Sequence, residues 1–165
     1  MTSDIDQGTK LTALDPSAPH RQAIWLLNSL MVERATAQDT NGAYTMFEQW
    51  VTADGNPPPH VHEREDEAFL VLEGSIDVTV GGETAHVAAG GFAFGPRGVP
   101  HSYAVTSDLA RLLIIATPGG AEHFFRELGE PAQALGLPVP AAPDVPRVVS
   151  VAAQHGIAIL PPPAS

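Results

Sequence analysis

The chain of 165 residues contains no cysteine. That excludes disulfide cross-links, thiolate nucleophiles and every thiolate-held zinc or iron–sulfur site, and leaves histidine and the carboxylates as the strong metal ligands. Basic residues are scarce: 8 Lys and Arg stand against 19 Asp and Glu, a formal charge of -11. Such a chain repels polyanions, so neither nucleic acid nor an anionic membrane is expected as a partner. No apolar run comes near the roughly 18 residues needed to span a bilayer. The polar, acidic start MTSDIDQGTK lacks the basic and apolar regions of a signal peptide, so a cytoplasmic protein is the expectation.

A hydrophobic fraction of 44% over this length fits one globular domain with appendages. Residues 1–22 carry Asp4, Asp6, Asp15, Pro16 and Pro19 with little apolar periodicity and read as a flexible arm. From 23 to 118, short apolar runs alternate with turn residues: IWLL, LMV, YTMFEQWV, AFLVLE, IDVTV, ETAHVAA, FAF, HSYAV and ARLLIIAT. Segments of this length and spacing indicate an all-β antiparallel sandwich or barrel. Hairpins are expected at Glu73-Gly74-Ser75 and at Gly81-Gly82. AFLVL and RLLIIA, apolar on both faces, should be central strands.

Residues 119–165 form a C-terminal extension of a different kind. Phe124, Phe125 and Leu128 recur at helical spacing and Gly129 stops them; a second short piece runs from Pro131 to Leu135. After the Pro-rich connector 138–146, Asp144 can cap a helix that Gly156 ends. The four residues IAIL (157–160) are too short to stand alone and must dock on something, a partner subunit being one option.

Chemistry concentrates in GNPPPHVHEREDE (55–67). His60 and His62 are two apart, so on the extended chain that Pro57, Pro58 and Pro59 impose, both imidazoles project to one side and can share a cation. Glu67 lies at an odd offset from His62 and reaches the same interior only if the chain turns within Glu63–Asp66. Asp66 is the rival ligand if the strand runs on; Glu67 is preferred. Further on, Pro96, Gly98 and Pro100 form a rigid turn that delivers His101 at the head of another strand. Three imidazoles and one carboxylate suit one divalent transition metal, Fe, Mn, Ni, Co, Cu or Zn, with positions left for water or substrate. Phe47, Phe69 and Tyr103 are candidates for a substrate pocket. His20, His86, His123 and His155 have no partner pattern and read as surface or cap residues. The acidic run apart from Glu67 reads as a solvated loop, and so does Arg97.

The motifs His60-x-His62-x4-Glu67-x6-Gly74 and Gly90-x5-Pro96-x-Gly98-x2-His101 resemble the two motifs of the cupin superfamily, over roughly residues 40–117. Two departures touch no ligand: four residues rather than five separate Gly55 from His60, and Val105 stands where the second motif often has Asn. The resemblance implies a cupin double-stranded β-helix, a jelly-roll barrel with the metal inside and short C-terminal helices after it. The stretch 117–140 is similar to the tail of single-domain quercetin dioxygenase-like cupins. That similarity implies a metal-dependent dioxygenase acting on a small aromatic or enolisable organic substrate, with Glu67 both metal ligand and catalytic base. Non-oxidative polyketide cyclases or isomerases and non-catalytic ligand-binding cupins are the alternatives. Exposed strand edges in such a barrel lead us to expect a homodimer.

Overall fold

The computed structural model describes residues 22–161. The N-terminal arm expected over 1–22, with His20, therefore lies almost wholly outside the described residues. The strands are β1 (Ala23–Leu26), β2 (Ser29–Ala35), β3 (Thr45–Val51), β4 (His60–His62), β5 (Asp66–Glu73), β6 (Ser75–Val80), β7 (Glu83–Ala88), β8 (Phe92–Gly95), β9 (His101–Val105) and β10 (Ala110–Thr117). After them come α1 (Ala121–Leu128), β11 (Glu130–Pro131), α2 (Val145–Gln154) and β12 (Ile157–Ile159). No helix among the described residues is long and apolar enough to cross a membrane.

The strands form two antiparallel sheets, one ordered β11-β1-β2-β3-β10-β5-β8 and the other β12-β4-β9-β6-β7, the all-β jelly-roll arrangement expected. The period of two decides which side chains enter the core. In β5, Glu67, Phe69 and Val71 are buried while Ala68, Leu70 and Leu72 are only partly so. The same alternation sends Ile76 and Val78 of β6, His101, Tyr103 and Val105 of β9, and Leu112 and Ile114 of β10 inward. β5 and β10 are adjacent central strands, as their apolar sequences suggest.

Two local expectations are corrected, and one left open is narrowed. Gly74 is not a hairpin turn within one sheet: β5 and β6 belong to different sheets, so the residue carries the chain from one to the other. Its φ of 75° suits glycine, and a Cβ there would meet the Leu109 carbonyl oxygen at 2.2 Å. Gly81-Gly82 does form the expected β6–β7 hairpin, both residues having positive φ. The piece at Pro131 is not helical. Pro131 pairs with Ile24 on the outer edge of β1, where an imino acid without an N–H is tolerated, and the Trp25 indole donates to the Gly136 carbonyl at 2.8 Å. IAIL docks on its own chain, as β12 along β4.

α1 and α2 follow the capping logic of the sequence. Asp144 accepts from the Arg147 N–H at 3.1 Å to open α2, and Gly156, with φ 72°, turns the chain out of it. Glu122 is buried at the start of α1, where it bonds the Thr45 hydroxyl and the Ala37 N–H. Burial alone would raise its pKa; these hydrogen bonds outweigh it and hold the carboxyl below its usual value.

Candidate metal centre

The ligands arrive from both sheets. His60 and His62 lie on β4, and His60 pairs directly with His101 of β9, so those two imidazoles share one face. The break between β4 and β5 transfers the chain to the opposite sheet, and Glu67 enters the interior from there. Glu67 stands opposite Gly95 of β8. A side chain at Gly95 would collide with the His101 ring, its Cβ falling 3.0 Å from Cγ and 3.1 Å from Nδ1. Bare backbone at 95 is thus the space into which His101 packs.

The three Nε2 atoms converge on one oxygen. Glu67 Oε2 lies 3.1 Å from His101 Nε2 and 3.7 Å from the Nε2 atoms of His60 and His62. All four potential ligand atoms lie within 4.8 Å of one another. Behind the rings, each Nδ1 faces an acceptor: the Pro58 carbonyl at 2.8 Å for His60, Glu65 Oε2 at 3.4 Å for His62 and the Val99 carbonyl at 2.9 Å for His101. An Nδ1–H donated outward leaves the Nε2 lone pair pointing inward, the tautomer that binds metal. Three such lone pairs and a carboxylate facing one point repel one another unless a cation lies among them. The donor set therefore fits a divalent transition ion bound through nitrogen and oxygen.

Burial by itself would push the Glu67 carboxyl up; its contacts with His101 and His60 and the charge of His62 outweigh that and hold it well below the usual carboxylate range. Burial would lower His101, and the bonds to Glu67 and Val99 raise it instead. Glu67 is ionised across the physiological range.

Asp66, the rival ligand, points away from the site. It accepts from the Arg97 backbone N–H at 2.9 Å and from its guanidinium at 3.1 and 2.8 Å, which lowers its pKa to about 2. Arg97 is thereby an ion-pair partner rather than a purely solvated residue. Glu65 corrects a second expectation: it is 9% exposed and faces His62, so the acidic run is not wholly a solvated loop.

The metal-facing groups open onto a cavity of about 80 Å³. Phe69 and Tyr103 line it. Phe47 does not; it packs edge-on behind Phe125 with ring centroids 4.7 Å apart. The Tyr103 hydroxyl donates to Gln49 Oε1 at 2.7 Å, and the Gln49 amide donates to the Ser29 hydroxyl at 2.9 Å. Burial pushes the phenol well above its usual pKa, so it is no acid near neutral pH. Phe124 and Phe125 also line the cavity, joined by Leu27, Ile157 and Ile159. Of the remaining histidines, His86 pairs with Asp77, and His155 ends α2 and bonds Glu127.

Sequence reasoning missed Gly95, Glu65 and Gln49. Glu65 carries a signal, since it lies three residues beyond His62 in a stretch that must turn. Gln49 carries none, because its partners lie 20 and 54 residues away.

The family model for the cupin domain matches residues 49–118, which include all four candidate ligands. An uncharacterised protein of Streptomyces coelicolor is 30% identical over 100 residues, 56% of this chain and 92% of that protein. Quercetin 2,3-dioxygenase of Bacillus subtilis is 36% identical over 74 residues, 45% of this chain, and the match spans only 22% of that enzyme. Among solved structures, the polyketide cyclase RemF from Streptomyces resistomycificus superposes with a TM-score of 0.55 at 22% identity, covering 79% of this chain and 89% of that one.

Proposed function

The chain belongs to the cupin family, and we propose that it is a metal-dependent dioxygenase acting on a small enolisable organic substrate. The observation that carries this is the convergence of His60, His62, His101 and Glu67 at the polar end of an otherwise largely apolar cavity. Similarity to the Bacillus dioxygenase supports the oxidative class. A metal bound there would act as a Lewis acid and a template for substrate oxygens.

The chain's own residues define the rest of the chemistry. Glu67 is the one carboxylate among the cavity-lining residues and is the base proposed to accept an enol or hydroxyl proton. Hydrogen bonds from Nδ1 hold the three imidazoles at fixed angles, so no reorganisation is needed as charge develops on the substrate oxygen. Phe69, Phe124 and Phe125 exclude water around the reacting atoms. Tyr103, its proton committed to Gln49, is a wall and an acceptor rather than an acid.

Oxygen uptake by protein loaded in turn with each candidate metal, across a panel of diketones and catechols, tests the reading. Uptake that stops in Glu67→Gln, with metal retained, is the expected result. No uptake with any metal overturns it, and turnover under nitrogen with zinc moves the site to the non-oxidative cyclase or isomerase class. The homodimer is proposed through the outer face at edge strand β8, where Phe92 is 61% and Phe94 49% exposed. Sedimentation of a Phe92→Ser/Phe94→Ser variant as a monomer, against a dimeric parent, checks this.

A further inference from the structure

The metal-facing groups come from residues 60–101, yet much of the cavity before them is enclosed by segments outside the matched stretch 49–118. β12 runs along the edge of β4, with Ile157 opposite His62 and Ile159 opposite His60. Directly opposed residues of an antiparallel pair project to the same side. Both isoleucines therefore stand beside ligand imidazoles and face inward, and both line the cavity.

This strand is pinned at each end. The Glu63 N–H donates to the Gly156 carbonyl at 2.9 Å, and the Leu160 N–H to the Pro59 carbonyl at 2.8 Å. The preceding helix α2 buries Val148, Val151 and Ala152, and Arg147 ties it to the carbonyls at the end of α1, at 2.9 Å from Leu128 and 2.8 Å from Glu127. A second tie joins His155 to Glu127 at 2.7 Å. The wall is thus fastened at several points, and its position determines the space left over the metal.

That space is small. The cavity of about 80 Å³ is about half the roughly 150 Å³ of an engineered protein cavity that takes up benzene. A three-ring flavonol is larger than the space the wall leaves. We propose that β12, through Ile157 and Ile159, is the specificity wall of this site, confining its ligands to molecules no larger than a short chain or a single small ring. The proposal deepens the reading of the metal centre as a substrate site and rests on it for the location only.

The test measures ligand entry, not turnover. The full chain, with its metal content measured, is titrated with 3-hydroxyflavone and followed by the fluorescence of the flavone. Ile157→Ala/Ile159→Ala should bind it at least about tenfold more tightly than the parent. Ile157→Val/Ile159→Val should show a smaller gain of the same sign, and Ala158→Ser, on the exposed side of β12, none. The proposal is overturned if the parent binds the flavone as tightly as the double alanine variant, or if that variant, folded by circular dichroism and carrying parental metal, gains no affinity. Should the alanine variant fail to fold, the valine variant decides, and no gain there is equally fatal. Absence of oxygen uptake in the parent, beside gained flavone binding in the variant, sinks the oxidative reading and leaves the wall standing.

Discussion

The two sides of the cavity are built on different physics. On the metal side, four polar groups between residues 60 and 101 are each held by a directional bond, such as the outward Nδ1 contacts of His60 and His101 at 2.8 and 2.9 Å. Around them, the side chains of Phe124, Phe125, Val148, Ile157 and Ile159 contribute apolar surface, whose burial has no preferred angle. A directional site loses its function when one atom moves, whereas an apolar wall tolerates exchange of one hydrocarbon for another of similar volume. In the proposed reading the chemistry resides with the polar groups and the choice of ligand with the apolar ones. Substitutions on the two sides should separate metal binding from ligand size.

The largest effect is expected from His101→Ala. Removing one of three imidazoles should abolish stoichiometric metal uptake, read by elemental analysis of protein purified without a nickel column; retention of full metal would break the assignment. Gly95→Ala comes next. Its Cβ, 3.0 Å from His101 Cγ, pushes the ring off the shared point, and metal titration should show weakened binding in a chain that still folds. Glu65→Gln removes the charged partner of His62 Nδ1 and should cost about 10- to 100-fold in metal affinity by competition with a chelator.

On the apolar side the expected signs differ. Ile157→Val should lower stability by about 0.5–1.5 kcal/mol in denaturant titration while metal affinity stays at the parental value. A parallel loss of metal would show that the two sides are not separable. The smallest effect belongs to Asp66, whose pKa the Arg97 pair lowers from 3.8 to about 2. A depressed carboxylate contributes stability that is fully present above the unfolded pKa and is lost as pH falls through the folded one. The melting temperatures of the parent and Asp66→Asn should therefore differ modestly at pH 5 and approach each other as pH falls from about 4 toward 2. A gap that persists unchanged at pH 2 would show that ionisation of Asp66 is not its source.

Which parts of this were legible in the sequence follows from how local their causes are. The ligand histidines could be read because the spacing of two on a proline-stiffened strand is a short-range fact. Parity from His62 favours Asp66 on an unbroken strand, so Glu67 could be preferred only by supposing a turn in the acidic stretch, which the break between β4 and β5 supplies. The strand boundaries followed the period of two closely, and the end of α2 followed its cap residues. By contrast, the Leu27-Asn28 turn has both residues at positive φ, 46° and 64°, without a glycine to announce it. Asn28 is held there by Ala141, 113 residues away, which no local pattern contains. Gly74 looked like a hairpin because one positive φ serves a hairpin and a crossing between sheets alike.

The sequence by itself determined the elements, the candidate ligand set and its donor types, because periodicity, turn residues and the lack of cysteine act over a few residues at a time. Only the tertiary structure decided what each element meets: β12 on β4 rather than on a partner, Glu65 behind His62, Gly95 under His101 and Tyr103 on Gln49. Those pairings depend on contacts between distant stretches of chain, where the folded packing as a whole selects one partner among many of similar chemistry.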